Sequence, residues 1–155
     1  MKDNFGGKKP RYTLRNPHKY MGDAMNVIYR STWELNAFKF CDNNIYVMMW
    51  GSEEYAISYM KPVINARGGM TTKLANYYPD LYVEYVDKHG TLFKELIEIK
   101  PKKQTRPSRA RKYETNFYEN MTYAINTAKW TAAKHWCEQR GIKFCLVTED
   151  ALFKH

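Results

Sequence analysis

Tyr77-Tyr78-Pro79-Asp80-Leu81-Tyr82-Val83-Glu84-Tyr85-Val86 and Leu92-Phe93-Lys94-Glu95-Leu96-Ile97-Glu98-Ile99-Lys100 are dense in Tyr, Val, Ile, Leu and Phe, and both read as β-strand. Between them, Asp87-Lys88-His89-Gly90 has turn chemistry, which predicts an antiparallel hairpin. Alternation along a strand sends Glu98 and Lys100 to one face and Ile97 and Ile99 to the other, into a core. Asp80 stands on the neighbouring run. Two carboxylates and an ammonium on one face suit phosphodiester hydrolysis. Hard oxygen ligands hold Mg²⁺ through one or two carboxylates and leave room for water and phosphate. The ion polarises the phosphoryl group, and a lysine beside it orients water and stabilises negative charge. Glu-x-Lys on a strand is also an ordinary solvated ion pair, so this pattern leaves both readings open. Glu84 and Glu95 are rival carboxylates. Glu84 lies four residues from Asp80, about 13 Å at strand rise and too far to share an ion; Glu95 has the parity of the core-facing isoleucines.

Outward from the hairpin, the periodicities predict an α/β fold with a mixed sheet flanked by helices. A helix starts at Ser31, an N-cap with Glu34 three residues on; Glu34 either closes that cap or points into the active site. Strands follow over 45–50 and 55–60. Residues 61–76, with Pro62 and Gly68-Gly69, read as a long loop whose Lys61, Arg67 and Lys73 suit a phosphate backbone. A long helix over 112–140 places Phe117, Met121, Ala124, Ile125, Ala128, Ala132 and Trp136 on a core stripe. Asn126 and Lys129 share another face. A buried strand over 142–147 and a short helix over 151–154 complete the order.

The 155 residues predict one domain over 21–155, preceded by a basic extended arm over 1–20. Twenty-five Lys and Arg against sixteen Asp and Glu give a net charge of +9, which favours an anionic partner such as nucleic acid. The densest cationic stretch follows Lys100 directly. Lys102, Lys103, Arg106, Arg109, Arg111 and Lys112 form a candidate DNA guide leading from the proposed metal site. Cys41, Cys137 and Cys145 make no zinc pattern with the scattered histidines and read as free thiols. Residues 1–20 lack the pattern of a secretory leader, and no apolar run reaches the length of a membrane span, so a soluble protein without a membrane partner is expected.

In order along the chain, Pro79-Asp80, Glu98-Ile99-Lys100 and the helix-one Glu34 resemble the signature of the PD-(D/E)xK nuclease superfamily. Further words sharpen the likeness: residues 19–23 (KYMGD), 29–34 (YRSTWE), 50–53 (WGSE), 98–103 (EIKPKK), 126–130 (NTAKW), 140–144 (RGIKF) and 148–150 (TED). Together they resemble the head completion nucleases of T-even-like tailed phages, which are akin to the TnsA-type endonuclease of transposons. The TnsA type often carries Gln where this chain has Glu98. The resemblance implies a restriction-endonuclease-like core. It also implies Asp80 and Glu98 as metal ligands, Lys100 as the catalytic lysine and Glu34 as a further acidic member. The implied activity is Mg²⁺-dependent (Mn²⁺ being an alternative ion) cleavage of packaged or protruding double-stranded DNA in head maturation before tail joining. The implied partners are head, portal or neck proteins. The implied setting is the host cytoplasm during assembly, with retention in the virion an option. Two alternatives stand beside it: a head or neck plug that binds DNA without cutting, and a repair or junction-resolving nuclease of the same fold.

Overall fold

In the computed structural model, which describes residues 9–148, the described chain forms two compact units, residues up to 54 with 81–95, and residues 55–80 with those from 96 onward. In the first unit, helix α1 (Thr32–Asn43) starts as its sequence predicts. Ser31 is extended, its Oγ accepts the Glu34 N–H at 3.1 Å, and the Glu34 carboxylate reaches back to the Arg30 N–H. This is the reciprocal arrangement of a capping box, displaced one residue outward. Phe38, on the buried side of α1, lies 5.3 Å from the Trp50 ring of β1 (Val47–Ser52), and Tyr20 meets Trp50 edge-on at 4.8 Å. Trp50 is fully buried and anchors this core. Strand β1 pairs antiparallel with the later strand Leu81–Val86, Trp50 facing Val83 and Ser52 facing Leu81.

Asp42 closes the first unit from inside. Its side chain is completely buried, and its carboxylate accepts hydrogen bonds from the Tyr12 hydroxyl (2.8 Å), the Arg15 N–H (2.8 Å) and the Asn16 N–H (2.9 Å). The Lys19 ammonium caps the carbonyls of Asp42 and Asn44 at the end of α1, where a cation complements the helix dipole. Residues 9–20, expected as part of an extended arm, are therefore seated against α1 by one carboxylate. Burial alone pushes the Asp42 carboxyl up, but the donors of Arg15, Asn16 and Tyr12 outweigh it and hold it below its ordinary value. Burial, followed by the hydrogen bond to Asp42 and then its charge, raises the Tyr12 phenol to about 12.

The second unit corrects the loop expected over 61–76. Strands β2 (Ile57–Ile64) and β3 (Met70–Tyr77) form a hairpin in unbroken register from Ile57↔Tyr77 to Ile64↔Met70. Asn65 Oδ1 accepts the N–H groups of Arg67 (3.0 Å) and Gly69 (2.9 Å), and Gly68 sits at φ +78°. The predicted turn before β5 uses the same device. Asp87 Oδ1 accepts from His89 (2.8 Å) and Thr91 (3.0 Å), with Gly90 at φ +79°. An Asx side chain that satisfies the turn, with glycine three residues on in the left-handed region, makes both hairpins. Pro62 is tolerated in β2 because a two-stranded sheet has only edge strands.

The remaining strands are β4 (Leu81–Val86), β5 (Leu92–Ile99) and β6 (Lys143–Val147), and the four-stranded sheet has the order β1-β4-β5-β6. It is mixed, as expected for this α/β fold. Strand β5 runs through both units, and in the second unit the Lys100 N–H donates to the Val147 carbonyl at 3.0 Å. Helix α2 (Tyr113–Glu138) packs on β2 and β6. Its buried residues are Asn126, Ala133 and Cys137, and Phe117 is 46% exposed. The core stripe thus lies about one position around the helix from the predicted one. The expected helix over 151–154 lies outside the described residues.

Asp42→Ala leaves buried N–H and O–H donors without an acceptor, and a loss of about 3 kcal/mol is expected in urea unfolding. Because the native carboxyl is held below its unfolded value, its contribution is complete above about pH 4 and fades as pH falls through the lower native value. The gap between wild type and variant should therefore shrink in acid; a gap independent of pH would remove the charge from this account.

Candidate active site

The site is built at a corner. Tyr77 is the last residue of β3 and Leu81 the first of β4, so the run 77–86, expected as one strand, is divided. The residues between them turn the chain around Pro79, which is fully buried. The ring fixes φ and supplies no N–H that the turn would have to satisfy. Asp80 emerges from this corner against the end of β5. Its backbone N–H donates to Glu98 Oε2 at 3.3 Å, and the Ile99 N–H donates to Asp80 Oδ2 at 2.8 Å. Each carboxylate is thus braced by backbone beside the other. Lys100 Nζ stands 3.3 Å from Glu98 Oε1. Asp80, Glu98 and Lys100 come together as their sequence predicts, all three within the second unit.

The surroundings differ from expectation. On β5 the fully buried residues are Leu96 (1% exposed) and Glu98 (3%), and Ile97 and Ile99 are half-buried. Glu98 therefore occupies the enclosed side of its strand, and Lys100 keeps about a quarter of its side chain exposed. Charges in such a place interact strongly and need partners. The donor set is two hard carboxylates, which fits Mg²⁺ because that ion is held by one or two carboxylates and keeps several waters. Among the described residues no three His, Cys, Asp or Glu gather as a larger ligand cluster.

Lys129 and Tyr77 face this site, with Tyr59 packed against Tyr77. Lys129 on α2 places its ammonium 5.5 Å from the centre of the Tyr77 ring and 6.0 Å from that of Tyr59; the two rings meet edge-on at 6.5 Å. Burial, then the positive charge of Lys100, pulls the Lys129 ammonium below its ordinary pKa, against the charges of Glu98 and Asp80. The Tyr77 hydroxyl is buried without a hydrogen bond of good geometry. Burial, then the Glu98 and Asp80 charges, raises it far above an ordinary phenol. The shared face of Asn126 and Lys129 was visible as a spacing. The available signal was a polar pair three residues apart, with Asn126 only 4% exposed.

Glu34 belongs to the first unit. Its carboxylate accepts the Arg30 N–H, and burial, with the nearby Glu53 charge, raises its pKa despite that hydrogen bond. Both rival carboxylates have other partners: Glu84 accepts from the Tyr82 hydroxyl at 2.6 Å and Glu95 from the Tyr85 hydroxyl at 3.1 Å. The six cations Lys102, Lys103, Arg106, Arg109, Arg111 and Lys112 are all exposed. They are carried by a short 3₁₀ turn, Lys102–Thr105, and by a loop tied to α2. Ser108 donates from its N–H to Asn120 Oδ1 (2.9 Å) and from its hydroxyl to Glu119 (3.0 Å), and Asn116 Nδ2 donates to the Ala110 carbonyl (3.2 Å). Neutral side chains make most of these anchors, so the arginines between them point to solvent.

The model of the family described as TnsA-like endonuclease N terminal matches residues 44–149, which include the corner, Glu98, Lys100, the basic loop and Lys129. The chain is also similar to the head completion nuclease of Enterobacteria phage T4, 39% identical over 150 residues that cover 92% of this chain and 91% of that protein. No solved structure matches it significantly. A family match across the whole site, with a relative aligned over nearly the full chain, means that this protein belongs to the TnsA-like endonuclease family.

Proposed function

We propose that this protein is a metal-dependent deoxyribonuclease that acts on duplex DNA, packaged or protruding, during completion of a phage head. The mutually braced Asp80 and Glu98, with Lys100 at 3.3 Å, carry this reading. The two carboxylates hold Mg²⁺, and Mn²⁺ fits the same oxygen ligands. The bound ion supplies Lewis acidity toward the phosphoryl oxygen and a more acidic water. The chain's own residues do the rest. Backbone N–H groups fix both carboxylates before substrate arrives, which is the preorganisation that electrostatic catalysis requires. Lys100 keeps its ammonium beside Glu98, where it orients the attacking water and offsets developing negative charge. The exposed 102–112 cations follow the phosphate backbone away from the cut. The phage setting rests on the similarity to the T4 head completion nuclease. The work is placed in the host cytoplasm during assembly, with head, portal or neck proteins as partners. Among the described residues no helix is long and apolar enough to cross a membrane.

Cleavage of linear and plasmid DNA is expected with Mg²⁺ or Mn²⁺ and is expected to stop with a chelator. Asp80→Ala, Glu98→Ala and Lys100→Ala should each lower the rate by at least about a hundredfold without loss of fold by circular dichroism. Wild-type rates in all three would remove these residues from the chemistry.

Glu34→Gln keeps an acceptor for the Arg30 N–H while deleting the charge. Its cleavage rate should fall more than tenfold while its stability changes by less than about 1 kcal/mol. A rate unchanged from wild type would leave Glu34 as a helix cap alone. For the basic loop, replacing Arg106, Arg109 and Arg111 with Ser should weaken DNA binding and flatten its dependence on log salt by up to about 3. An unchanged slope would assign DNA contact to other residues.

A further inference from the structure

Lys129 poses a physical problem. It is an ammonium half-buried in the middle of a packing helix, and among the described residues it makes neither an ion pair nor a hydrogen bond. A charge withdrawn from water is expensive unless it is partnered. The faces of Tyr59 and Tyr77 supply cation–π attraction, but at 6.0 and 5.5 Å from the ring centres this is a modest compensation. The carboxylates of Asp80 and Glu98 attract it from a distance, and Lys61 and Lys100 repel it. Glu98 already has Lys100 on one oxygen and the Asp80 N–H on the other. The position is a poor one for a structural ion pair and a good one for an anion that arrives from outside.

Its setting supports the same view. The Lys129 stem stands on α2, a 26-residue helix whose Ala133 and Cys137 are locked in the core. Tyr59 and Tyr77 lie on paired strands at the base of the β2–β3 hairpin. All three are carried by regular elements, which place a charged atom more accurately than a loop does. The charges of Lys61, Lys100, Asp80 and Glu98 all act on the Lys129 ammonium. Of these cations, Lys100 is the one paired with Glu98.

We infer that Lys129 is a second substrate-facing cation of this site, whose ammonium, held over the Tyr59 and Tyr77 rings, takes a non-bridging oxygen of a DNA backbone phosphate while Lys100 serves the water. The inference rests on the hydrolytic reading of the same site. It predicts that Lys129 contributes to binding before any chemistry occurs.

The test separates the two. Lys129→Met keeps an apolar stem between the rings and removes the charge. Lys129→Arg keeps the charge. Lys88→Met, on the exposed turn after β4, controls for a general loss of positive charge. Affinity for a short DNA duplex is measured against salt in chelator, where no cleavage can occur. Lys129→Met should weaken binding and lower the log–log slope by about 0.9, the signature of one lost phosphate contact. Lys129→Arg should restore the slope, and Lys88→Met should leave it unchanged. With Mg²⁺, Lys129→Met should also cut at least tenfold more slowly. A slope equal to wild type in Lys129→Met overturns the inference even if cleavage falls. If wild type fails to cleave, the hydrolytic reading falls and the binding slope still decides whether Lys129 is a phosphate seat. Should Lys129→Met not fold, ¹³C-lysine NMR of the wild-type protein decides: the duplex must shift the Lys129 side-chain signal, and an unmoved signal refutes the assignment.

Discussion

Two backbone hydrogen bonds hold the site together: Asp80 N–H to Glu98, and Ile99 N–H to Asp80. They join a turn to the end of a strand, and they bring two like charges into one enclosed place. Such an arrangement is unfavourable unless something offsets the repulsion. The Lys100 ammonium, the N–H dipoles and the more distant Lys129 do so here. The corner at Pro79, the register of the β2–β3 hairpin and the attachment of Lys100 to β6 all serve this junction.

Much of this was legible in the amino-acid sequence because the relevant signals are local. Ser31 and Glu34 announce a helix start through hydrogen bonds spanning four residues. Glu98 and Lys100 share a direction through simple alternation. Asp87 and Gly90 specify a turn. The β2–β3 hairpin was missed because Pro62 and Gly68-Gly69 look like breakers, although Asn65 and Gly68 repeat the Asx-and-glycine spacing of the recognised turn. Other features depend on distant partners. Nothing near residue 42 says that Asp42 is buried to bind Tyr12, Arg15 and Asn16. Nothing near residue 129 says that two tyrosines, from positions 59 and 77, receive its ammonium. The side of β5 that is fully enclosed was also misread. Isoleucines ordinarily face a core, and only the packing reveals that Leu96 and Glu98 share the deeper side.

The basic loop shows how a flexible-looking segment can be given a fixed shape without using its charges. Ser108, Asn116, Glu119 and Asn120 supply the anchoring bonds. The arginines between them keep their full positive field for a partner. A long-range electrostatic surface assembled in this way acts on association rate as well as affinity. Its distance from the carboxylates along the chain is short, which on the proposed function would link capture of a polyanion to its alignment.

The three thiols have a practical consequence. Cys41 and Cys137 are buried, and burial raises their pKa values to about 12 and about 11, so at neutral pH they are protonated and inert toward alkylating reagents. Cys145 is only partly buried and lies on β6, two residues before the carbonyl that receives the Lys100 N–H. A maleimide or trifluoromethyl probe added to the native protein would therefore go first to a single natural position on the neighbour of β5, giving a spectroscopic reporter without any engineered cysteine.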